Sequence, residues 1–110
     1  MRSQDLYLND IVDSIKKILE YTKEIDYDEF TKNTLVFDAV IRNFEIIGEA
    51  ARNISEEIKS KYPNITWSDM IGMKNILIHS YFGIDYSIVW NTRELLPNLL
   101  EELKKVVQDI

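Results

Sequence analysis

Apolar residues recur at helical spacing along almost all of this chain, and only three glycines and two prolines among 110 residues punctuate the pattern. That combination points to helices, because half-buried strands would alternate with a period of two and turn residues would return every few positions. The most demanding segment runs from Asp28 to Asn53. Val36, Val40, Ile47, Ala50 and Ile54 line one face of a helix there, while Phe37, Ile41 and Phe44 line the next. A helix apolar around more than half its circumference sits centrally, packed by neighbours on several sides, or buries an extra face in an oligomer. Its polar remainder, Asp38, Arg42, Glu45, Glu49 and Arg52, steps by three and four with mixed sign, as a solvated ladder of ion pairs.

The other segments build around it. From about Asp5 to Glu24, residues Leu8, Ile11, Val12, Ile15, Ile18 and Leu19 form the stripe of an amphipathic helix. Ser55 is placed to cap a short helix that ends near Tyr62, where Pro63 stops it. Thr66 followed by Asp69 resembles a capping box, so a further helix is expected from Trp67 until Gly83. Asp85 caps a last helix that buries Val89, Leu96, Leu99, Leu103, Val106 and Ile110 and bends at Pro97. Short connections favour antiparallel neighbours. The expected fold is therefore all-α, an up-and-down bundle of four main helices plus one short helix, forming a single domain over residues 1–110.

Composition narrows the chemistry. There is no cysteine and only one histidine, so disulfides and thiolate metal sites are excluded and neither a metal nor a cofactor is expected. No leader and no apolar run long enough to cross a bilayer is visible, which suggests a cytoplasmic protein. The net charge of −6 argues against a broad basic surface that grips long stretches of phosphate backbone. Contact with nucleic acid would have to be local.

Local chemistry is concentrated in the run Lys74-Asn75-Ile76-Leu77-Ile78-His79-Ser80-Tyr81. A base that titrates near neutral pH stands there with a cation and a phenol within a few residues, a set suited to phosphoryl transfer. On a helical wheel Lys74 interrupts an apolar row made by Trp67, Met70, Ile71, Leu77, Ile78 and Tyr81. It either snorkels, laying its methylenes on apolar surface, or presents its charge to a ligand. Asn75 and His79 lie one turn apart, so the amide can orient the imidazole; the alternative is a solvent-exposed histidine favoured by the helix C-terminus. Lys74 and His79 sit about 140° apart on an ideal helix, so a second copy facing the first across a two-fold axis would help bring four groups into one cleft. Gly72 then permits close backbone approach, or simply packs tightly within one chain. Tyr81 is an interface or core aromatic, or a modifiable hydroxyl, and Phe82, Tyr86 and Trp90 read best as core or interface aromatics. Asn43 falls on an apolar stripe, where its amide either faces the motif or satisfies neighbouring backbone.

The run from Gly72 to Asp85, together with Ile46-Ile47-Gly48-Glu49-Ala50-Ala51 upstream and Trp90 and Pro97 downstream, resembles the HepT-like branch of the HEPN superfamily over nearly the whole chain. The resemblance implies a small all-helical ribonuclease toxin, a homodimer whose paired motifs form a cleft at the subunit interface. It implies an RNA substrate and, as partner, a nucleotidyltransferase antitoxin of the MntA type that transfers AMP to the motif tyrosine, here Tyr81. Asn75, His79 and Tyr81 match the family motif; Lys74 stands where arginine is usual, keeping the charge but replacing a planar fork by a point charge. In this reading Lys74 stabilises the phosphate, Asn75 orients, and His79 moves protons. Two rival readings carry other predictions. A non-cleaving module would bind nucleotide or RNA without forming products, and a helical partner of a nucleotidyltransferase would bind it through the wide apolar face of the second helix, independently of Lys74 and His79.

Overall fold

The hydrophobic stripes close on one another in a computed structural model that describes residues 3–78, 83 and 85–110. The described residues form α1 (Gln4–Thr22), α2 (Tyr27–Lys32), α3 (Thr34–Arg52), α4 (Glu56–Lys61), α5 (Trp67–Ile78), α6 (Tyr86–Thr92) and α7 (Leu96–Asp109), with a 3-10 turn over Arg93–Leu95. The fold is all-α, and its four longer helices are α1, α3, α5 and α7.

Helix α3 is central. It packs against α1 and against α5, and α7 covers α1. On α1, Leu8, Ile11, Ile15 and Ile18 are fully removed from solvent, and each contributes about 1.5–3 kcal/mol by burial. Val40, Phe44, Ile47 and Ala50 meet them from α3, and Leu103 and Val106 complete the core from α7. Gln4 fixes the direction of the first pair: its amide donates to the Asn53 carbonyl and accepts from the Ser55 backbone N–H. The start of α1 therefore lies beside the end of α3, and the two run antiparallel. Tyr62, just after α4, donates to Asp109 at 3.0 Å and ties that corner to the end of α7.

Two expected helices are subdivided. The segment from Asp28 to Asn53 breaks at Asn33, whose backbone leaves the helical region (φ −105, ψ 89) while its side chain accepts from Val36 N–H and starts α3. Asn competes well for such a cap, and the break lets α2 turn Phe30 inward. The last segment divides into α6, the 3-10 turn and α7. Pro97 does not bend a continuous helix; it occupies the first turn of α7, where its missing N–H has no intrahelical acceptor to lose. Ile110, expected in the core, is 55% exposed because α7 ends beside it.

The divided pieces build an aromatic cluster. Phe30 of α2 packs edge-on against Phe37 at a centroid distance of 5.5 Å and tilted against Trp90 at 4.9 Å, and Tyr86 lies 4.2 Å from Phe37. Trp90 is thus a core aromatic and Tyr86 packs half-buried against the core, while Phe82 lies outside the described residues. The Arg93 guanidinium covers the Trp90 ring at 3.5 Å. No helix among the described residues is long and apolar enough to cross a membrane.

Candidate active site

Lys74 is carried by α5, and the reason it can sit beside α3 is Gly48. A Cβ built on Gly48 would lie 2.3 Å from the Lys74 Cβ and 3.0 Å from the Met70 carbonyl oxygen, so only glycine allows the two helices to approach this closely. The Lys74 side chain is only 17% exposed. Its stem is packed, as snorkelling requires, but its head does not simply run to water: the ammonium group donates to the Glu49 carboxylate of α3. The Lys74 hydrogen bond and charge hold the Glu49 carboxyl below its ordinary value of 4.5, with Arg52 adding in the same direction.

This finding corrects the expected role of Glu49. In the expected solvated ladder, Arg42 and Glu45 do pair, at 3.7 Å, but Glu49 leaves the ladder to bridge α3 and α5. Sequence spacing pairs residues along one helix and has no means of pairing residues 25 apart. One signal was available: a glycine in mid-helix costs about 1 kcal/mol against alanine and so marks a close approach, here immediately before Glu49.

The pair lies on a cleft of about 320 Å³ lined by Tyr7, Asp10, Arg42, Glu45, Asn53 and their neighbours. Lys74 and Arg42 supply its cations, beside the carboxylates of Asp10, Glu45 and Glu49. A second groove, between α3, α5 and α7, has an apolar floor of Phe44, Ile47, Met70, Met73, Leu96 and Leu99 and a rim charged only by Asp69, Glu94 and Glu102. Its field repels a phosphate. The cleft at Lys74 is therefore the better candidate for an anionic substrate.

The remaining expected site residues fall in four groups. Asn75 is exposed one residue along α5. Gly72 is half-buried, and among the described residues nothing lies within 4 Å of a Cβ built on it, so tight packing against them is not what requires it. Asn43 is buried at 6% exposure; its Nδ2 donates to the Ala39 carbonyl at 2.8 Å, the backbone-satisfying alternative, while its Oδ1 accepts no hydrogen bond. His79 and Tyr81 lie outside the described residues. Gly83 has a φ of +97, a left-handed conformation that suits the expected helix stop. Among the described residues no group of three or more histidines or carboxylates is placed to hold a metal ion.

Together these features define an all-helical protein with a lysine clamped by a carboxylate of the neighbouring helix in a cleft lined largely by charged and polar residues. The chain belongs to the Ribonuclease HepT-like family, whose profile matches residues 11–110. It is 45% identical over 106 residues to a Methanocaldococcus jannaschii protein named "Putative RNase MJ1380", covering 96% of this chain and 97% of that one. It is 42% identical over 106 residues to a Thermococcus cleftensis protein named "Probable ribonuclease HepT", covering 96% of each. A third relative, "Putative RNase TTE0752" of Caldanaerobacter subterraneus, is 34% identical over 109 residues and matches 98% and 97% of the two chains. No solved structure matches the chain.

Proposed function

We propose that this protein is an endoribonuclease toxin that cleaves RNA without a metal ion and acts as a homodimer in the cytoplasm. The observation that carries the reading is Lys74, a cation held by tertiary structure on a polar cleft in a chain whose family is named for ribonucleases. The ribose 2′-oxygen attacks the adjacent phosphorus; the new bond forms as the bond to the 5′-oxygen breaks, leaving a 2′,3′-cyclic phosphate and a free 5′-hydroxyl. One His79 accepts the 2′-hydroxyl proton, and a protonated His79, supplied by the second subunit, gives a proton to the departing 5′-oxygen. Lys74 stabilises the negative charge that grows on the phosphoryl oxygens, and Asn75 orients the imidazole or contacts phosphate. The space beside Gly72, where a built Cβ meets nothing among the described residues within 4 Å, is compatible with a second chain approaching α5.

The antitoxin in this reading is a nucleotidyltransferase of the MntA type that transfers AMP from ATP to Tyr81. The added phosphodiester competes with the RNA phosphate for Lys74, so inhibition needs no unfolding. The test is incubation of the purified protein with end-labelled RNA in the presence of a chelator. Cyclic-phosphate products from the parent, none from His79→Ala, and no cleavage of a 2′-deoxy substrate support the mechanism. Equal cleavage by His79→Ala, or cutting of the deoxy strand, refutes it. Loss of inhibition in Tyr81→Phe when the nucleotidyltransferase and ATP are added tests the modification.

A further inference from the structure

Glu49 is hydrogen-bonded to Lys74 and has no task in the proposed mechanism. A lysine head is a compact charge on a flexible four-carbon stem with three donors, and nothing intrinsic to it sets the direction in which it offers them. Here both ends of the side chain are fixed. The Cβ is pressed against Gly48, and the ammonium group is bonded to a carboxylate from the neighbouring helix. Exposure is unequal across the pair: Glu49 is 56% exposed and Lys74 17%. The Lys74 side chain as a whole is the more buried of the two and both residues line the cleft, so the lysine is restrained by a group that remains accessible to solvent.

We propose that Glu49 is a positioning residue for Lys74: its carboxylate, on α3, holds the ammonium group of α5 in the orientation from which its free N–H donors meet the scissile phosphate. This rests on the ribonuclease reading above. One N–H engages Glu49 and the others remain for a phosphoryl oxygen, so the anion directs the cation without consuming its donors. A carboxylate partner supplies the directionality that a planar guanidinium carries in itself. The placement also has an electrostatic consequence. Glu49 adds a negative charge beside the position of the phosphate, which weakens ground-state attraction for a polyanion while sharpening the geometry of the charged contact. Positioning therefore predicts a specific kinetic pattern: kcat depends on Glu49, and KM does not rise when the carboxylate is removed.

The experiment compares Glu49→Ala, Glu49→Gln and Glu49→Asp in the full chain. Initial rates on a fluorescent RNA, melting temperature, and acetylation of Lys74 by an N-hydroxysuccinimide ester, read by mass spectrometry, are measured for each. Glu49→Ala is expected to lower kcat by about tenfold to a hundredfold, the range a displaced catalytic group gives, with KM unchanged or reduced. Glu49→Gln, whose amide oxygen still accepts from the ammonium, is expected to recover part of kcat. Acetylation of Lys74 is expected to rise several-fold in Glu49→Ala as the amine is released. An unchanged kcat with lower KM would make Glu49 a mere competitor of the phosphate and overturn the proposal. Rate losses that track melting temperature across the three variants, or unchanged Lys74 acetylation in Glu49→Ala, overturn it as well. If the parent cuts no RNA, the ribonuclease reading fails, and the acetylation contrast alone then decides whether Glu49 holds Lys74.

Discussion

Replacing Gly48 with alanine is expected to destabilise the fold, against the ordinary preference of helices. The added Cβ would stand 2.3 Å from the Lys74 Cβ, whereas carbon atoms in contact rest at about 3.5–4.0 Å, so α3 and α5 must part by about 1.2 Å or more. The Met70 carbonyl oxygen at 3.0 Å is backbone, and a Cβ has no rotamer by which to swing away. Overpacking of this kind costs about 1–3 kcal/mol, and the absence of any movable neighbour places it at the upper end. Alanine returns about 1 kcal/mol of helix propensity. The net loss is about 1–2 kcal/mol, which for a chain of this length lowers Tm by about 4–8 °C. Thermal unfolding followed by circular dichroism, with urea titration beside it, measures this directly. Gly72→Ala is the matched control within a single chain: its Cβ meets nothing among the described residues within 4 Å, so the monomer, measured at low protein concentration, is expected to gain about 1 kcal/mol, roughly 4 °C. Gly48→Ala melting at or above the parent temperature would refute the close approach that positions Lys74.

Lys74→Ala is expected to lower RNA cleavage by about 10²–10³, the loss typical of one group stabilising transition-state charge, while Lys74→Arg retains activity; the reverse order would remove Lys74 from the mechanism. Leu103→Ala, at a position with no solvent exposure, is expected to cost about 2–5 kcal/mol in denaturant unfolding, and a cost under 1 kcal/mol would mean that α7 is not packed as described. Two carboxylates set an acid-side dependence. Glu49 is held below 4.5 by Lys74, and Asp85 below 3.8 by hydrogen bonds from the Ser87 hydroxyl and backbone N–H. Both are lower in the folded chain than in the unfolded one, so their contribution is fully present above those ordinary values and is lost as pH falls through the lower folded ones. Both are well exposed to solvent, so the effect is small. Melting temperature measured from pH 7 downward should be insensitive to these two groups until about pH 4, and Glu49→Gln should flatten part of the decline below it.

The helical class and the core stripes were legible from spacing, because a stripe at helical period is a property of consecutive residues. Leu8, Ile11, Val12, Ile15 and Ile18 are buried as their spacing requires, and so are Phe37, Val40, Ile41, Phe44 and Ile47. Ser55 and Asp85 cap where expected. Lys74 stood out as a charge on an apolar row, and the structure gives it both a packed stem and a partner. What spacing missed were breaks that keep the period intact. Asn33 interrupts a helix without disturbing its stripe, because its side chain replaces a backbone bond locally.

The sequence by itself determined which residues are apolar, how they recur, and hence that helices with buried stripes form; it also placed Lys74 beside Asn75 and five positions before His79. Only the tertiary structure decided which helix faces which. Gly48 lets α3 close on α5, and that contact turns Glu49 from a member of a surface ladder into the partner of Lys74. The physical reason is range: periodicity and capping act over one or two turns, whereas the charge pair joins residues separated by 25 positions, a distance that only the packing of two helices can close.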